Sequence, residues 1–266
     1  MKHGKVTLEV TQGVGLLTLN DPSTLNSFGQ LLREDFADAV DQIDSDPAIR
    51  ALVITGAGRG FSSGANLNDK DAPPRDRAAE ERGEHKTSLE AYYNPMLERF
   101  SKLSLPMVSA VNGVAAGVGM SFALSCDLVV AARSAYFLQA FARIGLVPDG
   151  GSTYILPRLV GMRRALEMSL LAERIPAEQA LEWGLISRVV DDDKLMEEAV
   201  ALATRLANGP RSLGLIRQLY WRSLQSDYPT QLQAESDFQK TAGATQDHDE
   251  GVTAFREKRA AKFVGR

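Results

Sequence analysis

Apolar residues fall along this chain in two kinds of pattern. Runs of four to six residues rich in Val, Ile, Leu and Ala occupy 6–10, 14–19, 51–55, 107–111, 128–132, 135–138 and 186–190, and each predicts a strand. A Gln-Gly pair separates the first two and predicts a tight turn. Elsewhere the period lengthens. Leu31, Leu32, Phe36, Ala39, Val40 and Ile43 recur at helical spacing up to Asp46-Pro47, and Ser27 with Gln30 has the spacing of a capping box. Helical patterns also cover 88–102, 151–160 and 163–171, and a short helix starts with Pro176 and stops at Gly184.

From Asp193 onward one helical pattern follows another. Strands mixed with helices before that point, and helices alone after it, predict an α/β core over 1–192 and a helical region over 193–266. No segment repeats at a fixed period. The stretch 69–88, DKDAPPRDRAAEERGEHKTS, is charged and carries prolines; it reads as a mobile loop beside a site or as ordinary surface loop.

Composition narrows the field without choosing a function. A chain of 266 residues, 44% of them hydrophobic, suits one large domain or a core with an appendage. The net charge of −4 provides no general attraction to nucleic acid or to an anionic membrane. The amino-terminal MKHGKVTLEV lacks the apolar centre of a signal peptide, and no run approaches the roughly 20 apolar residues of a membrane span. The single cysteine, Cys126, excludes an intrachain disulfide and a CxxC metal site, and it fits a reducing cytoplasm. His3, His85 and His248 are scattered away from the glycine-rich segments, so neither a metal site nor a histidine triad is expected.

Those glycine-rich segments carry the chemistry. The run ending at Thr55 leads into GAGRGFSSGANLND, and the run ending at Val111 leads into Gly113, Gly117 and Gly119 of GVAAGVGMSFALSCDL. Glycine in a segment about to build core costs up to about 1 kcal/mol relative to alanine, so close approach or an unusual backbone is required there. Loops of small residues leave N–H groups unobstructed, and two from different loops can converge on one oxygen as an oxyanion hole. In the second loop the donor would open a helix, where the dipole adds positive potential. GAGRG lacks the Lys-Ser/Thr of a phosphate loop and does not open a helix as a dinucleotide fingerprint does. Purely structural turns remain the alternative.

The segment FSSGANL resembles the FxxGxDL-type loop of the crotonase (enoyl-CoA hydratase/isomerase) superfamily. AVNGVAAGVGMSFALSCDLVVAA resembles the second signature of that family, and IPAEQALEWGLISRVV its segment after the core; the similarity extends to the terminal FREKRAAKF. The resemblance implies a spiral of ββα repeats with a C-terminal helical trimerisation region. It also implies an acyl-CoA substrate, with the thioester oxygen held by the N–H groups of Ala65 and Val118. Gly64, Asn66, Leu67, Gly117, Gly119, Ser121 and Phe141 would then border the substrate, with Gly117 and Gly119 letting the thioester reach the main chain. Asn66 stands where most of the family has Asp. No cofactor is implied beyond the coenzyme A of the substrate, and the expected self-association is a trimer or a dimer of trimers.

The fold hosts many reactions, so the acids must distinguish them. Family hydratases use two glutamates; this chain has Ser121 and Phe141 at those positions. One acid remains, Asp149 in GLVPDGGSTYILPRLVG, and it matches the double-bond and ring-epoxide isomerases of the family. A single carboxylate suffices for a proton shift of two carbons. The competing reading makes Asp149 the cap of the helix that follows. Hydration or hydrolysis through Asp149, or thioester binding without catalysis, are the alternative functions. Phe137, Phe141 and Tyr92 read as aromatic pocket or plain core, and Ser121 as a pocket hydrogen bonder or packing. Asp127 reads as a structural turn residue, Lys258 and Arg259 as phosphate contacts or surface charge, and Phe263 as a wall of the CoA site, its own or that of a neighbouring subunit.

Overall fold

In the computed structural model, which describes residues 1–72, 74 and 76–266, β1 (Val6–Thr11) and β2 (Val14–Leu19) form an antiparallel hairpin. Its turn residues Gln12 and Gly13 both have positive φ, 50° and 82°, the backbone twist that matches two flanking strands. Pro73 and Arg75, inside the charged 69–88 stretch, lie outside the described residues.

The helix α1 (Gln30–Ser45) buries Leu32, Phe36, Ala39, Val40 and Ile43 of the apolar stripe read from the sequence, while Leu31 is only partly buried. Its start differs from the expected capping box. Gly29 is the N-cap residue, and the Gln30 N–H donates to Asp69 Oδ2 at 2.6 Å. Ser27 Oγ meets no partner among the described residues. The orphan donor is met by a carboxylate from a distant loop, which local spacing cannot reveal.

The chain then winds as a spiral in which each turn gives one strand to each of two sheets. β3 (Ala51–Gly56) is followed by β4 (Gly60–Ser62), the short α2 (Arg77–Glu81) and α3 (Asn94–Ser101). Next come β5 (Met107–Val111), β6 (Val114–Ala116) and α4 (Val118–Leu124), then β7 (Leu128–Ala132), β8 (Tyr136–Leu138) and α5 (Ser152–Leu171). β9 (Arg174–Pro176), α6 (Ala177–Glu182) and β10 (Arg188–Val190) complete the sheets. The larger sheet has the order β1-β2-β3-β5-β7-β10, parallel from β2 onward; the smaller has β4-β6-β8-β9, parallel except for β9. Right after β8, residues 140–144 make a 3₁₀ turn.

The 69–88 stretch is not wholly irregular. Asp76 accepts from the Ala79 N–H at 3.0 Å and caps α2, which buries Ala79. Within α5, Gly161 has φ 79° and ψ 159°, so two helices meet there, as the separate patterns over 151–160 and 163–171 predict.

One apolar core joins the layers. Phe28, Phe36, Phe100 and Phe122 bring together the loop before α1, α1, α3 and α4, with ring centroids 4.7–5.8 Å apart. Such ring pairs contribute about 0.5–1.5 kcal/mol each beyond burial. The helical region beyond 192 falls into two parts. α7 (Leu195–Ala207) buries Leu195, Ala199, Leu202, Ala203 and Ala207 in this same core. α8 (Ser212–Ser223), α9 (Tyr228–Gly243) and α10 (Gln246–Glu257) form a further layer with few buried residues. Among the described residues no helix is long and apolar enough to cross a membrane.

Candidate active site

The two glycine loops converge because of strand order. β4 and β6 are parallel neighbours, with Gly60 opposite Val114, so the segments leaving their carboxyl ends emerge side by side. Gly64 (φ 95°) and Gly117 (φ 51°) take conformations that side chains disfavour. A Cβ placed on Gly64 would stand 2.8 Å from the Ala116 carbonyl oxygen and 3.6 Å from Gly117 Cα, so the two backbones touch.

The next residue in each loop presents its N–H. Phe28 and Ala65 form an isolated parallel bridge, in which the Phe28 N–H donates to Gly64 O at 2.7 Å and Phe28 O accepts from the Asn66 N–H at 3.4 Å. That pairing uses the groups of residues 64 and 66 and turns the Ala65 N–H the other way. Val118 is the first residue of α4, whose N–H has no carbonyl one turn behind it. Among the described residues no acceptor meets either N–H.

Asp149 follows from the third turn of the spiral. A Cβ placed on Gly150 would stand 2.7 Å from Ser121 Oγ and 3.3 Å from Val118 Cγ2, so the residue beside Asp149 rests on the first turn of α4. The Asp149 side chain does not cap α5. The N-cap position is Gly151, without a side-chain hydrogen bond, and the Ser152 N–H donates to the backbone oxygen of Asp149 at 3.0 Å. Asp149 Oδ1 is buried and has no partner among the described residues. Burial pushes this carboxyl up to about 6, and among the described residues no cation holds it down. A carboxyl so placed can accept and return a proton near neutral pH.

The other residues expected at the site divide into those that face it and those that support it. Phe141 is buried, and its Cζ lies 3.6 Å from where a Cβ on Gly117 would be. Leu67 is 70% exposed beside Ala65, and Asn66 folds its own loop by accepting from the Asn68 N–H at 3.0 Å. Ser121 is not a free pocket hydroxyl: its Oγ lies 3.0 Å from Ser152 Oγ, which accepts from Gln139 Nε2 at 3.3 Å. Gly119 has a packing reason of its own: a Cβ there would lie 2.6 Å from both Cβ and Oγ of Ser62, so the missing side chain lets α4 press on β4. Phe137 is fully buried core, and Tyr92 is partly exposed under the Arg33 guanidinium.

One neighbour was not foreseen. Tyr93, buried on a wide helical turn over Leu89–Tyr93, donates its hydroxyl to Phe28 O at 2.9 Å. Leu89, Tyr93, Met96 and Phe100 share a helical stripe, which reads simply as core.

The helical layer holds different features. A cavity of about 820 Å³ lies between α8, α9 and α10, bordered by Leu215, Tyr220, Phe238, Phe255 and Phe263. It includes none of the glycine loops and not Asp149. Phe263 therefore sits in this cavity and not beside Asp149. Arg259 is taken up by Glu250, with contacts of 2.6 and 2.8 Å, and by Glu257, while Lys258 terminates α10 with φ 56°. Asp127 pairs with Arg217 at 2.9 Å and accepts from the Met107 N–H at 2.8 Å, the structural role expected of it.

The ββα spiral and the paired loops at the ends of β4 and β6 define a protein of the crotonase fold. An enoyl-CoA hydratase from Bacillus anthracis superposes with a TM-score of 0.88 at 30% identity, covering 98% of this chain and 100% of its own. The sequence signature of the enoyl-CoA hydratase/isomerase family matches residues 9–266, and the chain belongs to that family of acyl-CoA enzymes. It is 45% identical over 258 residues to a 1,2-epoxyphenylacetyl-CoA isomerase of Escherichia coli K12, with 97% of both chains covered. It is also 39% identical over 267 residues to a Rhodobacter capsulatus protein named "Probable enoyl-CoA hydratase", with both chains covered in full.

Proposed function

We propose that the protein is a CoA-thioester isomerase that moves a proton between carbons of the acyl group. The observation that carries this reading is Asp149, a half-buried carboxyl near 6 with an unpartnered oxygen, whose neighbour Gly150 packs on Ser121 and Val118 in the first turn of α4. The thioester oxygen accepts from the N–H groups of Ala65 and Val118. The Asp149 carboxylate takes a proton from the carbon next to the thioester, and the C–H electron pair moves onto that oxygen as an enolate. Conjugation spreads the charge along the acyl group, and the same carboxyl returns the proton two carbons away. No atom is gained or lost. Preorganised N–H donors supply the main stabilisation of the enolate.

The Escherichia coli relative's name supports an aromatic ring epoxide as substrate; on the proposed reading it is rearranged to its seven-membered oxepin isomer, and the same proton shift also moves double bonds in enoyl thioesters. Phe141 offers a flat apolar wall beside Gly117, and Leu67, Leu146 and Val147 are exposed apolar residues flanking the two site segments. The Rhodobacter relative's name favours a second reading, hydration. Against it, Ser121 and Phe141 provide no carboxylate to pair with Asp149. Incubation with unsaturated and ring-epoxide CoA thioesters in water labelled only with heavy oxygen separates the two. Products of unchanged mass support isomerisation; solvent oxygen in the main product, or thioester binding without turnover across the whole set, contradicts it.

We also infer that the chain associates with itself, as a trimer or a dimer of trimers. The helical layer exposes Ile216, Tyr220 and Phe255, the last at 85%, around its cavity, more apolar surface than an isolated layer favours. A stable monomer at micromolar concentration in light scattering contradicts this.

A further inference from the structure

Phe28 touches both halves of the proposed oxyanion hole. Its backbone makes the bridge that turns the Ala65 N–H outward, and its ring stacks on Phe122 of α4, the helix that Val118 opens, at 4.7 Å and 17°. Phe28 O already accepts from the Asn66 N–H, but at the long distance of 3.4 Å. The shorter bond to that oxygen comes from Tyr93, at 2.9 Å. Tyr93 is itself held firmly. It is 5% exposed, on a wide helical turn of the kind often found at functional positions, and the Arg33 guanidinium lies 5.4 Å from its ring centre. Burial first, with the Asp149 and Asp69 carboxylates adding to it against the pull of Arg33, pushes the phenol above its ordinary value. Tyr93 therefore stays a neutral donor, within electrostatic reach of Asp149.

We propose that Tyr93 is a positioning residue, whose hydroxyl fixes the Phe28 carbonyl and through it the direction of the Ala65 N–H relative to that of Val118. It does not touch the substrate. Oxyanion stabilisation depends on donors being held at the position the charge will occupy, so loosening Phe28 weakens the transition state more than the ground state. The inference rests on the acyl-CoA reading above.

The test is Tyr93→Phe, which removes one oxygen and leaves the ring in place. Two quantities are read on wild type and variant: turnover of an enoyl-CoA, and the near-ultraviolet absorbance of the enolate formed when acetoacetyl-CoA binds. The expected variant has kcat lower by about 10-fold, a KM within about 2-fold of wild type, and a smaller enolate fraction at saturation. A hydroxyl with only a structural role would lower the melting temperature and leave kcat and the enolate fraction of the folded protein unchanged, and that result overturns the inference. If wild type turns over no thioester and forms no enolate, the acyl-CoA reading falls and takes this inference with it. Equal signals in wild type and variant overturn the role of Tyr93 alone.

Discussion

Two corners of the molecule use the same kinds of group to opposite ends. At the amino ends of β5 and β7, Asp127 and Met107 exchange backbone and side-chain hydrogen bonds, and Arg217 reaches down from α8 to Asp127, Ser101 O and Leu103 O. Burial pushes the Asp127 carboxyl up, and the guanidinium and the Met107 N–H pull it back. At the carboxyl ends of β4 and β6, the Ala65 and Val118 N–H groups and Asp149 Oδ1 meet no partner among the described residues. Buried polar groups are nearly always paired in folded proteins; the first corner leaves Arg217 Nη2 without a partner among the described residues, whereas in the second neither the buried Val118 N–H nor Asp149 Oδ1 has one. The first corner holds the helical layer to the core. On the proposed reading the second is kept open for chemistry, in line with the tendency of parallel sheets to bind ligands at the carboxyl ends of their strands.

The largest effect that sharpens this contrast is expected from Asp149→Asn. Turnover should fall by roughly 10²–10⁴, the loss typical of a missing general base. Stability should move the other way. The folded value near 6 lies above the ordinary 3.8, so the carboxyl contributes stability below pH about 4 that is lost as pH rises through 6. The variant should therefore be more stable at neutral pH, by about 1–2 kcal/mol after allowing for solvent screening. Denaturant unfolding of both proteins checks this; a destabilised variant would mean that Asp149 has a structural partner.

Arg217→Ala is the converse. It leaves Asp127 with an unpaired charge and frees two backbone carbonyls, so a loss of about 3 kcal/mol is expected, with kcat per folded molecule unchanged. A lowered kcat at full folding would join the two corners that the account separates. Gly119→Ala pushes a methyl into Ser62. It should cost about 1–3 kcal/mol by overpacking and lower kcat modestly by shifting the first turn of α4, both readable from melting and steady-state rates. The smallest effect is that of pH. Since the working form of Asp149 is ionised, kcat/KM should fall about 10-fold for each unit below 6. A flat profile from pH 5 to 7 would assign the base elsewhere.

The open corner was legible in part. Apolar runs of five or six residues marked β2, β3, β5 and β7, and the glycines marked the loops beyond them. The strands that bring those loops together were not read: β4 is Gly-Phe-Ser and β6 Val-Ala-Ala, too short for any period to register. The cap of α1 escaped because its acceptor, Asp69, is 39 residues away. At Gly119 the sequence reveals the need for a small residue but not the neighbour, Ser62, that imposes it. Asp149 stands out in the sequence as the one acid of its segment, but its surroundings are not predictable from it. Only the packed chain shows that its side chain leaves α5 uncapped, and that separates the catalytic from the capping reading.

The central claim is that Asp149 moves a proton on carbon, and solvent exchange tests it without relying on net conversion. An enoyl-CoA incubated in deuterated water with wild-type protein should take up deuterium at the carbons between which the double bond shifts. With Asp149→Asn, folded and still binding the thioester, uptake should fall in step with turnover, by roughly 10²–10⁴. Exchange at the wild-type rate in that variant would contradict the account.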